Sequence, residues 1–120
     1  MPNPFTYMQL HTSDLAKARE FYAGLFDWQF EDNPIPSGLY TEILVGEGTG
    51  GGMMKAPAPG TPSHWLPFVE VADVQSSTRR AESLGARVLV APTEVPKKGS
   101  YSVITDPTGA ALALWQKKAA

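Results

Sequence analysis

Apolar and polar positions change period several times along the chain, and those changes mark out the elements. Residues 5–12 (FTYMQLHT) alternate as a half-buried strand does. Ser13-Asp14 is a helix-start signal, because either side chain can accept from the first free amides. Over Asp14–Phe26, Leu15, Ala18, Phe21, Tyr22, Leu25 and Phe26 recur at spacings of three and four, which predicts an amphipathic helix. Trp28–Glu31 reads as a short strand and Asn33-Pro34-Ile35-Pro36-Ser37-Gly38 as a turn. Leu39–Val45 is a β-rich run, Gly46-Glu47-Gly48 a hairpin connection, and Gly51–Lys55 the return strand.

Residues 56–63 (APAPGTPS) hold three prolines and a glycine, which fit neither a helix nor a central ladder, so they predict a linker. Beyond it the order repeats. Trp65–Val71 reads as a strand, Asp73–Leu84 as a helix ended by Gly85, and Arg87–Val90 as a strand. Ala91–Gly99 reads as a loop, Tyr101–Thr105 as a strand, Asp106-Pro107-Thr108-Gly109 as a turn, and Ala111–Gln116 as the last strand. The chain is therefore a βαβββ unit written twice: module one at 1–55, a linker at 56–63 and module two at 64–120 of a single domain. Asp14 and Asp73, like Leu25 and Leu84, stand 59 residues apart; Tyr40 and Tyr101, Ile43 and Ile104, and Gly48 and Gly109 stand 61 apart. Each unit's helix can cover only one face of its sheet, so the expected fold is α+β, with paired curved mixed sheets, helices outside and a cleft between.

Composition narrows the chemistry. The 120 residues suit one domain, and 12 acidic against 10 basic side chains, with no basic cluster, give no footprint for nucleic acid. No run approaches the ~18 apolar residues of a membrane span, and residues 1–10 lack the parts of a signal peptide, so a cytoplasmic protein is expected. Cysteine is absent, which removes disulfides, thiolate metal sites and cysteine nucleophiles together. The histidines are His11 and His64.

Several segments carry a resemblance. Leu10-His11-Thr12-Ser13-Asp14-Leu15 leads into Phe21-Tyr22-Ala23-Gly24-Leu25-Phe26-Asp27-Trp28 in the first half. The second half has Val69-Glu70-Val71-Ala72-Asp73-Val74, Ala81-Glu82-Ser83-Leu84-Gly85-Ala86 and Asp106-Pro107-Thr108-Gly109-Ala110-Ala111-Leu112. With these the chain resembles the vicinal oxygen chelate superfamily, which contains glyoxalase I, extradiol dioxygenases and bleomycin-resistance proteins. Trp65-Leu66-Pro67-Phe68 and Ala113-Leu114-Trp115-Gln116 look like a glyoxalase-like subgroup. The resemblance implies the glyoxalase/bleomycin-resistance/dioxygenase fold. In catalytic members it also implies a divalent metal, held from the first and last strands of each unit and acting as a Lewis acid. Carried onto this chain, the four ligand positions are Tyr7, Gly52, Leu66 and Ala113. Three have no donor atom and a neutral tyrosine is a poor ligand, so no metal is expected there. A shift by two residues would keep the strand face and bring in His64 and Gln9, which leaves a relocated divalent metal as the alternative.

Strand parity then assigns the cleft lining. Tyr7, Gln9 and His11 share one face, His64, Leu66, Phe68 and Glu70 another, and Met54 and Trp115 project with Gly52 and Ala113. Tyr7, Gln9, Met54, Leu66, Phe68 and Trp115 are thus candidate ligand-binding residues for a small, partly aromatic molecule. A core or dimer-interface role for the same aromatics is the plainer possibility. His11 and Glu70 occupy equivalent places in the two halves and are the candidate acid–base pair, with solvated strand ends as the alternative. His64 is either a surface histidine or a metal ligand, and Glu42 is either a base or, by default, an outward-facing salt-bridge partner. The expected protein is a homodimeric small-molecule binder without cofactor, and the alternative is a lyase, isomerase or dioxygenase-type enzyme.

Overall fold

A computed structural model describes residues 2–36, 38–56 and 60–119. Ser37 of the expected turn and residues 57–59 of the expected linker lie outside the described residues. The elements run β1 (Phe5–Thr12), α1 (Leu15–Leu25), β2 (Gln29–Ile35), β3 (Gly38–Leu44), β4 (Gly51–Lys55), β5 (His64–Glu70), α2 (Val74–Ser83), β6 (Arg87–Val95), β7 (Gly99–Thr105) and β8 (Ala111–Lys117). The βαβββ order therefore occurs twice, and the fold is α+β. Two compact units emerge, residues 7–66 and residues 1–6 with 67–120.

In the first of these units the strands lie in the order β2-β3-β4-β1. β2 and β3 are antiparallel, as are β3 and β4, whereas β1 lies parallel to β4 with His11 beside Met54 and Gln9 beside Gly52. Parallel pairing at this point is what a crossover through α1 requires. Asp14 caps that helix by accepting from the Lys17 amide at 3.0 Å, as its position before the apolar repeat implied. Leu15, Ala18 and Tyr22 pack on a core of Leu10, Ile43 and Met53. Full burial of a side chain such as Met53 contributes about 1.5–3 kcal/mol. The helix's apolar stripe is wider than its contact, so Phe21 and Leu25, expected on the buried face, are 60% and 56% exposed.

The second unit repeats the pattern as β5-β8-β7-β6, with β5 parallel to β8 and antiparallel pairs elsewhere. Asp73 caps α2 from the Gln75 and Ser76 amides. Val71, Val74, Ile104 and Leu114 form the core. The buried Thr78 hydroxyl lies 2.8 Å from that of Ser102, so neither polar group is left without a partner. Gly85 adopts φ 104° at the helix end and Gly109 φ 97° in the Asp-Pro-x-Gly turn, both left-handed conformations that favour glycine.

Two boundaries differ from expectation by more than two residues. β2 continues through Asn33-Pro34-Ile35, where a turn was expected, and β6 continues through Pro92 to Val95, where a loop was expected. Each is the outermost strand of its unit's order, a position where proline's missing donor can face away from the ladder. β6 also carries register shifts between Val88 and Thr93, which accommodate the proline. Among the described residues no helix is long and apolar enough to cross a membrane.

Candidate functional site

The alternation of β1 places Tyr7, Gln9 and His11 on one face of the unit formed by residues 7–66, and the structure joins them. The Tyr7 and Tyr40 hydroxyls share a hydrogen bond. Gln9 Nε2 donates to the Tyr40 hydroxyl at 3.2 Å, and His11 Nε2 donates to Gln9 Oε1 at 2.6 Å. His64 extends the row, its ring centred 5.2 Å from that of His11 in a T-shaped contact. Met54 lies between Tyr40 and His11 in the ladder, being the register partner of both. The result is a continuous polar row with a thioether set in it.

Burial favours the neutral forms of Tyr7, Tyr40 and His11. Burial, followed by the bond to Tyr40, pushes the Tyr7 phenol far above its ordinary value. Burial likewise raises Tyr40, against the opposing effect of its bonds to Tyr7 and Gln9. His11 is lowered, chiefly by burial and secondarily by the neighbouring His64. Glu42, expected to point outward, instead stands on this face as the ladder partner of Gly52, and its charge adds to the raising of both phenols. Register decides this: Glu42 is two residues from Tyr40 on β3 and so shares its side.

Gly52, one of the four positions at which the resemblance would place a metal ligand, lies against the two tyrosine hydroxyls of this row. A Cβ placed there would meet the Tyr40 hydroxyl inside van der Waals contact and would lie 2.6 Å from that of Tyr7. The space in which a ligand side chain would start is therefore filled by two hydroxyl groups. Of the other positions, Leu66 and Ala113 are buried hydrocarbon. The residues present do not fit a divalent ion at those four places. Among the described residues no group of three or more His, Cys, Asp or Glu side chains could hold one.

The remaining candidates belong to the other unit. Phe68 is buried and its ring lies 6.4 Å from that of Tyr101. Tyr101 and Glu70 are both ladder partners of Trp115. The Trp115 indole covers Gly99, where a Cβ would stand 2.9 Å from Cζ2. The Glu70 carboxylate lies 3.6 Å from the Lys117 ammonium, so it has a charged partner of its own.

Sequence reasoning missed Tyr40 and Tyr101. Both were visible as equivalent positions of the repeat, but β3 and β7 were not counted among the lining strands. The equivalence was the signal that could have found them.

Comparison with known proteins follows the same lines. Residues 5–114 match the model for the Glyoxalase/Bleomycin resistance protein/Dioxygenase superfamily. CFP32 of Mycobacterium tuberculosis, a protein bearing a glyoxylase name, is 36% identical over 115 residues, covering 92% of this chain and 44% of its own length. The anthracycline biosynthesis protein DnrV of Streptomyces peucetius is 29% identical over 135 residues, covering 97% of this chain and 48% of its own. The chain thus spans less than half the length of either relative. Methylmalonyl-CoA epimerase from Mycobacterium tuberculosis shares the fold at a TM-score of 0.70 and 14% identity, over 96% of this chain and 88% of that one.

Proposed function

The chain belongs to the Glyoxalase/Bleomycin resistance protein/Dioxygenase superfamily, and from that premise we propose that it binds a small, uncharged, partly aromatic molecule without a metal at the family's ligand positions. The observation that carries this reading is the pair of tyrosine hydroxyls over Gly52. Where a ligating side chain would project, the protein offers hydrogen-bond donors and acceptors instead. Phenols that hold their protons, an amide and a thioether suit a ring bearing hydroxyl or carbonyl oxygens better than an ionised substrate. The name of DnrV ties one relative to anthracycline biosynthesis, and anthracyclines are aromatic and oxygen-rich. A homodimer belongs to the same proposal, supported by the exposed Phe21 and Leu25; a mass of one chain by light scattering would remove that part.

A thermal-shift screen of phenols, quinones and aromatic ketones in excess chelator tests the reading. A compound at ~100 times its dissociation constant stabilises the folded state by about 2.7 kcal/mol. Tyr40→Phe deletes one neutral hydrogen-bonding group and is expected to weaken binding about 3- to 10-fold. An apolar cavity of about 240 Å³ lies elsewhere in the same unit beside Trp28 and Trp65, and binding there would be indifferent to Tyr40→Phe. Hits that ignore the substitution, or that appear only when a divalent ion is restored, overturn the proposal.

A further inference from the structure

We propose that His11 and His64 form a binding site for a single first-row transition cation, zinc or copper, displaced from the four positions at which the family carries its metal. Both imidazoles are held by hydrogen bonds through one ring nitrogen. Metal-binding histidines typically donate one ring N–H to a fixed acceptor, which sets the tautomer and turns the other nitrogen's lone pair toward the ion. Both rings here carry that support. The His64 Nδ1–H donates to the Pro62 carbonyl at 2.8 Å, which leaves Nε2 as the lone-pair nitrogen. His11 Nε2–H donates to Gln9 Oε1 at 2.6 Å, which leaves Nδ1. Gln9 is itself fixed by its bond to Tyr40, so the support is two residues deep.

Ring spacing agrees with a shared ion. Two imidazoles that each place a nitrogen ~2.0–2.1 Å from one tetrahedral ion have ring centres about 5 Å apart. His11 and His64 stand 5.2 Å apart with their planes crossed at 74°. Solvent would complete the coordination, since His11 and His64 belong to no larger donor group among the described residues. Met54, beside His11 in the ladder, adds a soft thioether to the same face, and imidazole with thioether suits zinc or copper rather than magnesium or calcium. The site shares Gln9 and Met54 with the small-molecule reading but leaves the tyrosine pair over Gly52 untouched, and Zn(II) as the sole probe keeps the two tests distinguishable.

Untagged protein, stripped with chelator and titrated with Zn(II) alone, tests this through the imidazole nitrogen resonances. The expected result is saturation at one equivalent, with shifts at His11 Nδ1 and His64 Nε2 and with the N–H protons kept at His11 Nε2 and His64 Nδ1. His64→Ala is expected to lose more than about 100-fold in affinity, and Gln9→Leu about 10- to 100-fold, the usual cost of removing a supporting partner. The wild-type spectrum decides the matter even where a variant does not fold. Absence of saturable binding, shifts at the already protonated nitrogens, or wild-type affinity in His64→Ala would each overturn the proposal.

Discussion

Substituting Gly52 by alanine tests the packing of the tyrosine pair over the empty ligand position. The added methyl would stand within van der Waals contact of the Tyr40 hydroxyl and 2.6 Å from that of Tyr7, so Tyr40 must move. Moving it gives up the hydrogen bonds to Tyr7 and Gln9, at about 0.5–1.5 kcal/mol each. The expected loss is therefore about 1–3 kcal/mol, only partly offset by the lower chain entropy of alanine in the unfolded state. Gly24 supplies the internal control. It lies within α1 with nothing near its Cβ position, so Gly24→Ala is expected to stabilise by about 1 kcal/mol. Urea unfolding reads both, and with a slope of about 1–3 kcal/mol per molar the midpoints should move in opposite directions by several tenths of a molar or more. In a Tyr40→Ala background the Gly52→Ala cost should shrink, since its main obstacle is gone. A Gly52→Ala protein as stable as Gly24→Ala, or a cost unchanged by Tyr40→Ala, would refute the reasoning.

Other outcomes follow from single groups. Asp73→Ala removes the acceptor for the Gln75 and Ser76 amides and should destabilise by about 1 kcal/mol in urea, with Asp73→Asn retaining most of the difference. Tyr7 and Tyr40 lie above the ordinary phenol value of 10.0, so the stabilisation tied to their neutral forms is intact below that pH and is lost as pH rises through the folded-state values. In an alkaline titration their share of the phenolate absorbance should appear only as circular dichroism reports unfolding; early ionisation in the native state would contradict the burial argument. Asp106 is held below its ordinary value by the Thr108 hydroxyl, then by the Ala110 and Thr108 amides. Its contribution is present above about pH 4, the unfolded-state range, and is lost as pH falls through the folded-state value. Acid unfolding of Asp106→Asn should lack that component.

Local patterns account for what could be read in advance. β1 and β4 keep their expected bounds, and both helices begin behind the aspartates that signalled them, because alternation and capping involve neighbours a few residues apart. Proline is a weaker breaker at a sheet edge than in a central strand. Pro34 and Pro92 suggested a turn and a loop, but a proline interrupts a ladder only where its donor is needed, and outermost strands leave one side unpaired. The site divides along the same line. Tyr7, Gln9 and His11 were placed together by the period of one strand. Tyr40 joins them through the register of β3 on β4 and Glu42 shares their face for the same reason, and register between strands is a non-local property that periodicity does not specify. The contact of His11 with His64 is likewise tertiary, across a separation of more than fifty residues.

Calorimetric titration of the strongest aromatic hit into chelator-treated protein, wild type and Tyr40→Phe side by side, addresses the central claim most directly. The account predicts saturable binding by the metal-free wild type and a 3- to 10-fold weaker constant for Tyr40→Phe, about 0.5–1.5 kcal/mol, at unchanged stoichiometry. Binding that vanishes in chelator, or that is identical in the two proteins, would contradict it.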